Sequence, residues 1–154
     1  MLVVADSSPL NVLIRIGCVE VLANLFHTVA IPPQVAEELN HARTPQAVKD
    51  FTSPPSWLVV RGARKIDPVP SVDRGEEVAI NLALELKAEL LLIDDLDCRK
   101  AAAARHLAVI DALGVLQRAA MRDLLDLESA ITRMRQTDFR AADELLDQAL
   151  RRPK

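Results

Sequence analysis

The 154-residue chain has no tyrosine, and aromatics make up only 3% of it: Trp57, Phe26, Phe51 and Phe139. A base-stacking platform of interleaved aromatic rings is thereby excluded. Cysteine is scarce as well. Cys18 and Cys98 lie too far apart for a C-x-x-C pair and read as reduced thiols. His27, His41 and His106 show no H-E-x-x-H spacing, so a zinc site is not expected. With four glycines and no G-x-x-x-x-G-K-[ST], a Walker-type nucleotide site is excluded. No uncharged run reaches about 18 residues, and the apolar N-terminal stretch MLVVA lacks a basic lead-in, so the expectation is a soluble, cytoplasmic protein with no membrane partner. Positive charge is not in excess either. The 19 Lys and Arg against 22 Asp and Glu leave a net −3, which argues against broad coating of DNA by charge.

Half of the residues are apolar, and a chain of this length buries roughly 70% of its unfolded surface, enough for one core without staples. The expectation is one domain over residues 1–154, with a helical extension over about 122–152. Leu2–Ala5, Thr28–Ile31, Trp57–Val60, Leu90–Ile93 and Leu107–Ile110 read as five strands. Strands that are apolar throughout and alternate with helical segments indicate an α/β fold, a parallel sheet covered on both faces. The helices are expected to open at Ser8-Pro9 (an N-cap and first-position pair), from Pro33 and at Thr44-Pro45, then across GEEVAINLALEL, through the alanine run after Asp97, and after Asp111. Two closing amphipathic helices carry Leu124, Leu127, Ile131 and Met134, then Phe139, Leu145, Leu146 and Leu150.

The acids are unevenly placed. Residues 1–98 hold 14 Asp and Glu against 8 Lys and Arg, while residues 99–154 hold 8 against 11. Asp6 follows the first strand, Asp94 and Asp95 the fourth, and Asp111 the fifth. Ligands in open parallel sheets bind beyond the carboxyl ends of the strands, so these acids are delivered toward one rim. Glu37, Glu38, Glu76 and Glu77 could join them from helices. Carboxylates gathered in one cleft repel each other unless a cation sits among them. Oxygen-only ligands favour Mg²⁺ or Mn²⁺, and such an ion serves phosphoryl chemistry. Each acid also has a structural reading. Asp73 and Glu76 fit a capping box, Asp95 or Asp97 can cap the alanine-rich helix, and Asp111 can cap the helix after it. Arg99 and Lys100 are candidates for RNA phosphate contact or ordinary solvated charges. A haloacid-dehalogenase-type phosphatase needs a second Asp where Ser8 stands, and a receiver domain needs its acid pair after the first strand; both are disfavoured.

The run Asp6-Ser7-Ser8-Pro9-Leu10 after the first strand, IPPQVAEEL, RGEEVAINLALEL, LLLIDD followed by Arg99, and LGVLQRA together resemble the PIN-domain family, in particular a compact prokaryotic branch related to VapC-like toxins. The resemblance runs from Val3 to about Leu150. It implies a three-layer α/β/α fold with strand order 3-2-1-4-5 and a Mg²⁺ or Mn²⁺-dependent ribonuclease, often a dimeric toxin with a cognate antitoxin. Carried over by position, the acids are Asp6, supported by Ser8, then Glu38, Glu76 with Glu77 as alternative, and Asp94 with Asp95 able to share its role. Many of these toxins carry Asp at the third position, where this chain has Glu. Asp111 stands where a small or hydroxyl residue is more usual, either as a fifth carboxylate or as a cap. The competing expectation is a PIN fold with a weak or vestigial site, acting as a nucleic-acid-binding or complex-forming module.

Overall fold

The computed structural model describes residues 1–39 and 56–136. Five strands, β1 (Leu2–Ala5), β2 (Thr28–Ile31), β3 (Leu58–Val60), β4 (Leu90–Leu92) and β5 (Val109–Ile110), form one sheet in the order β3-β2-β1-β4-β5. Every neighbouring pair is parallel. The fold class and strand order are those the resemblance implies. β3 and β5 are shorter than the apolar runs that signal them, but the ladder continues past their ends: Val29 N–H donates to the Trp57 carbonyl at 2.8 Å and Leu91 N–H to the Ala108 carbonyl at 2.9 Å.

Seven helices are described: α1 (Ser7–Arg15), α2 (Val21–Phe26), α3 (Pro33–Leu39), α4 (Arg74–Leu86), α5 (Leu96–Ala104), α6 (Ala112–Met121) and α7 (Leu127–Arg135). Side chains alternate across a strand, so β1 serves both sheet faces. Val3 and Ala5 cluster with Leu10, Phe26, Val35, Leu116 and Ile131 from α1, α2, α3, α6 and α7. Val4 clusters instead with Ala79, Ile80, Leu82 and Ala83 of α4 and with Cys98 and Ala102 of α5. The helices expected after Thr44-Pro45 and around Phe139 to Leu150 lie outside the described residues. Among the described residues, no helix is long and apolar enough to cross a membrane.

Two local expectations are corrected. The first helix opens at Ser7 with Asp6 as its N-cap, not at Ser8-Pro9, because the extended backbone of Asp6 (φ −87°, ψ 168°) carries the chain straight from strand to helix. Pro9 falls at the third helical position, where its missing N–H would have no intrahelical partner anyway. The segment before β2 also holds a second helix. Gly17, at φ +74°, turns the chain between α1 and α2, a conformation that glycine adopts without Cβ strain. Arg133 of α7 seals this corner, donating from Nη1 to the Ile16 carbonyl at 2.6 Å and from Nη2 to Cys18 Sγ at 3.6 Å. Both cysteines are buried and form no disulfide.

Candidate functional site: an acidic rim at the strand ends

β1 ends in the centre of the sheet, so the residue after it is buried by its neighbours. Asp6 is only 5% exposed, and its backbone N–H donates to the Leu92 carbonyl at 3.0 Å. Its side chain makes no cap bond to α1, and Oδ1 has no hydrogen-bond partner. Burial pushes the Asp6 pKa up to about 7; the Ser7 backbone N–H opposes this, and the Glu38, Glu76 and Asp73 carboxylates add to it by repulsion. An unpartnered buried carboxylate is costly. It persists where it binds something.

The first turn of α4 faces this residue. Asp73 and Glu76 form the expected capping box: Glu76 N–H donates to Asp73 Oδ1 at 2.8 Å and Asp73 N–H to Glu76 Oε1 at 3.0 Å. The box does not neutralise Glu76. At 7% exposure its pKa is pushed up to about 7, by burial first and then by the Asp73 and Asp95 carboxylates. Glu77 has a different job. It accepts from the Val69 N–H at 3.0 Å and pairs with Arg74 at 2.8 Å, and these bonds hold its carboxyl below the usual range. Asn81 and Glu85, one and two turns further along α4, accept the backbone N–H groups of Asp67 (2.9 Å) and Arg64 (2.7 Å). Glu77, Asn81 and Glu85 thus form a polar stripe at i, i+4 and i+8 that straps the segment leading into the capping box along the helix. Glu76 therefore lies among the acids while Glu77 is occupied structurally.

Glu38 arrives from the other helical layer. The Ser7 hydroxyl donates to its Oε2. Ser8, expected to support Asp6, is exposed; the hydroxyl that enters the site is that of Ser7, and its partner is Glu38. The Glu38 carboxylate also approaches α4 so closely that a Cβ on Gly75 would collide with Oε1. Glu37 is exposed. Ser7 and Gly75 are the two residues that sequence reasoning missed; the available signal was a glycine directly before a candidate acid in a chain with only four. Gly75→Ala is expected to leave stability unchanged or raise it by up to about 1 kcal/mol, since alanine favours the helix. Its methyl must displace the flexible Glu38 carboxylate, so activity is expected to fall at least tenfold. Thermal melts alongside activity assays check this, and full activity would show that the position of Glu38 is not needed.

The two acids after β4 point to different neighbours. Asp95 caps α5, accepting from the Cys98 N–H at 3.0 Å, and its charge is felt by Glu76. Asp94 accepts from the Ala112 N–H at 2.9 Å and has a buried, unpartnered Oδ2. Burial pushes it up to about 6; its charged neighbours are Asp111, which adds to the shift, and Arg99, which opposes it. Asp111 is the cap of α6, accepting from the Gly114 N–H at 2.7 Å, and its other oxygen stands 3.4 Å from Arg99 Nη1. Lys100 is exposed. Cys98 is buried beneath the rim, where burial and the acids Glu76, Asp6, Asp95 and Asp73 push its thiol up, keeping it protonated and inert.

A PIN-domain family profile, DUF3368, matches residues 2–154. The chain belongs to the PIN-domain family. PIN domains are generally nucleases and typically bind divalent metals. A solved structure of a PilT N-terminus domain protein from the hyperthermophilic archaeon Sulfolobus solfataricus P2 matches with a TM-score of 0.59 at 20% identity, covering 77% of this chain and 93% of its own. That likeness supports the fold. Among curated proteins none matches the chain.

The donor chemistry of this PIN domain fits a hard divalent cation. Asp6 offers an unpartnered buried oxygen, Glu76 and Glu38 add carboxylates within its electrostatic reach, and Asp95 lies within that of Glu76. Among the described residues, the acids act on Asp6 and Glu76 with no histidine beside them. Among the described residues, no three such groups form a ready-made metal cage. Burial first, and then the neighbouring carboxylates, make Asp6 and Glu76 harder to ionise than free acids, and a cation among them would offset both effects.

Proposed function

We propose that this PIN domain is a Mg²⁺- or Mn²⁺-dependent endoribonuclease, the toxin of a type II toxin–antitoxin pair, working in the cytoplasm as a homodimer with a cognate antitoxin protein as its partner. The observation that carries the nuclease reading is the buried, unpartnered Asp6 oxygen, with Glu38, Glu76 and Asp73 acting on it and Asp95 acting on Glu76, at the carboxyl ends of the central strands. The toxin and antitoxin roles rest on the resemblance to VapC-like toxins alone.

Asp6 and Glu76 would hold the cation, with Asp95 beside Glu76 and Asp94 on the Arg99 side of the rim. A bound cation of this kind lowers the pKa of water and neutralises charge on a phosphodiester. The protein's own part is positional. The capping box fixes the reach of Glu76, the Ser7 hydroxyl and Gly75 fix Glu38, and the backbone bond to Leu92 fixes Asp6.

The test is incubation of the purified protein with single-stranded RNA, with Mn²⁺ and then with excess EDTA. Cleavage with Mn²⁺ and none with EDTA is the expected result. Intact RNA under both conditions would favour the second reading, a binding or complex-forming PIN module with a vestigial site. That alternative draws on the capping box, which gives Glu76 a structural task whether or not a cation binds.

A further inference from the structure

Arg99 lies in α5, one turn from its start, beside the ends of two adjacent parallel strands, β4 and β5. Asp111 follows β5 directly, Asp94 stands one position further along the ladder beyond β4, and Asp111 and Arg99 are the charged groups that act on Asp94. A guanidinium therefore stands beside a pair of carboxylates at one edge of a rim that otherwise repels a polyanion. The partner it holds is a poor one. The Arg99–Asp111 contact is a single 3.4 Å approach, with the two side chains 40% and 30% exposed. A contact this long and this wet contributes little. A phosphate group offers the same guanidinium two parallel, charge-assisted bonds.

Asp111 loses little if Arg99 leaves. Its other oxygen remains bonded to the Gly114 N–H at 2.7 Å, and the glycine suits that bond, since a Cβ there would stand 3.1 Å from Asp111 Oδ1. Asp111 is thus anchored to α6 by one oxygen while the other serves Arg99.

We infer that Arg99 is the substrate-phosphate ligand of this site, held at rest by Asp111 and transferred to a backbone phosphate of single-stranded RNA when the substrate enters. Asp111 is its positioning residue: it keeps the guanidinium at the rim and out of the acid cleft. The inference rests on the ribonuclease reading and deepens it, because it assigns the contact that overcomes the repulsion between RNA and the acids. No bond is made or broken in the exchange.

The test uses full-length protein and a single-stranded RNA oligonucleotide. KM and kcat are measured with Mn²⁺, and Kd is measured across a salt series on the cleavage-deficient Asp6→Asn protein. Arg99→Gln is expected to raise KM and Kd about tenfold, to lower kcat much less, and to reduce the slope of log Kd against log salt by about 0.7, the signature of one lost phosphate contact. Arg99→Lys should recover part of the affinity, since the charge returns without the fork. Asp111→Asn should bind RNA at least as tightly as the parent, because the guanidinium is released. Lys87→Gln removes the same charge at the C-cap of α4, at the opposite end of that helix from Glu76, and should change nothing. If Arg99→Gln matches Lys87→Gln in KM, Kd and salt slope while the wild type cleaves normally, the inference is overturned and the nuclease reading stands. If the wild type neither binds nor cleaves RNA, both fall. Thermal melts of each variant confirm that the fold is retained.

Discussion

Asp6→Asn is expected to abolish RNA cleavage and, at the same time, to stabilise the metal-free protein at pH 8. The two effects have one cause. At pH 8 the Asp6 carboxyl, pushed up to about 7 by burial and by Glu38, Glu76 and Asp73, is mostly ionised in a place that disfavours its charge. The shift from 3.8 corresponds to a penalty on the order of 4 kcal/mol at most, reduced by whatever the Asn amide lacks in partners. A gain of about 5 °C in Tm is a reasonable scale for a chain of this size. The loss of activity should exceed the roughly 10–100-fold typical of residues that merely support metal ligands. A destabilised but active variant would contradict both expectations.

The second large effect is a pH dependence that a divalent cation reverses. Asp6 and Glu76 are pushed up to about 7 and Asp94 to about 6, so all three are harder to ionise folded than unfolded. Their contribution to stability is therefore fully present below their unfolded values near 4. It is lost as pH rises through the folded values of 6 to 7, and stays lost above. Glu77 acts in the opposite sense, favouring the fold at neutral pH and losing that contribution on acidification, but its carboxyl is bonded at the surface and the effect is small. In EDTA, Tm should fall between pH 5 and pH 8. Mn²⁺ at a hundredfold excess over its Kd should restore about 2.7 kcal/mol at pH 8. At pH 5, where protons compete for the same oxygens, the gain should be less than half as large. Stabilisation by Mn²⁺ that is equal at both pH values would place the cation elsewhere.

The strands were legible because a sheet buried on both faces requires apolar residues at every position, and LVVA, TVAI and LLL satisfy that with scarcely a polar interruption. The caps at Asp73, Asp95 and Asp111 were legible for a similar reason, since each precedes a helical pattern at the right offset. What the sequence could not resolve is direction. Asp94 and Asp95 are consecutive, and successive side chains leaving a strand point to opposite sides. One meets the first turn of α6, and the other caps α5 near Glu76. Which does which depends on packing that no local pattern encodes. Ser7 and Ser8 pose the same problem on a helix, where consecutive side chains differ by about 100° and the phase that turns Ser7 toward Glu38 leaves Ser8 exposed. Gly75 was hidden for another reason: its role is to be empty, and only the approach of Glu38 reveals it.

The central claim is that Asp6 and Glu76 exchange protons for a divalent cation, and calorimetric titration of the metal-free protein with Mn²⁺ tests it most directly. Performed in buffers of different ionisation enthalpy, the titration counts protons as well as ions. Millimolar or tighter binding is expected, with release of about one proton at pH 7, almost none at pH 9, and loss of binding in Asp6→Asn. Binding that releases no proton at pH 7, or that survives Asp6→Asn unchanged, would contradict it.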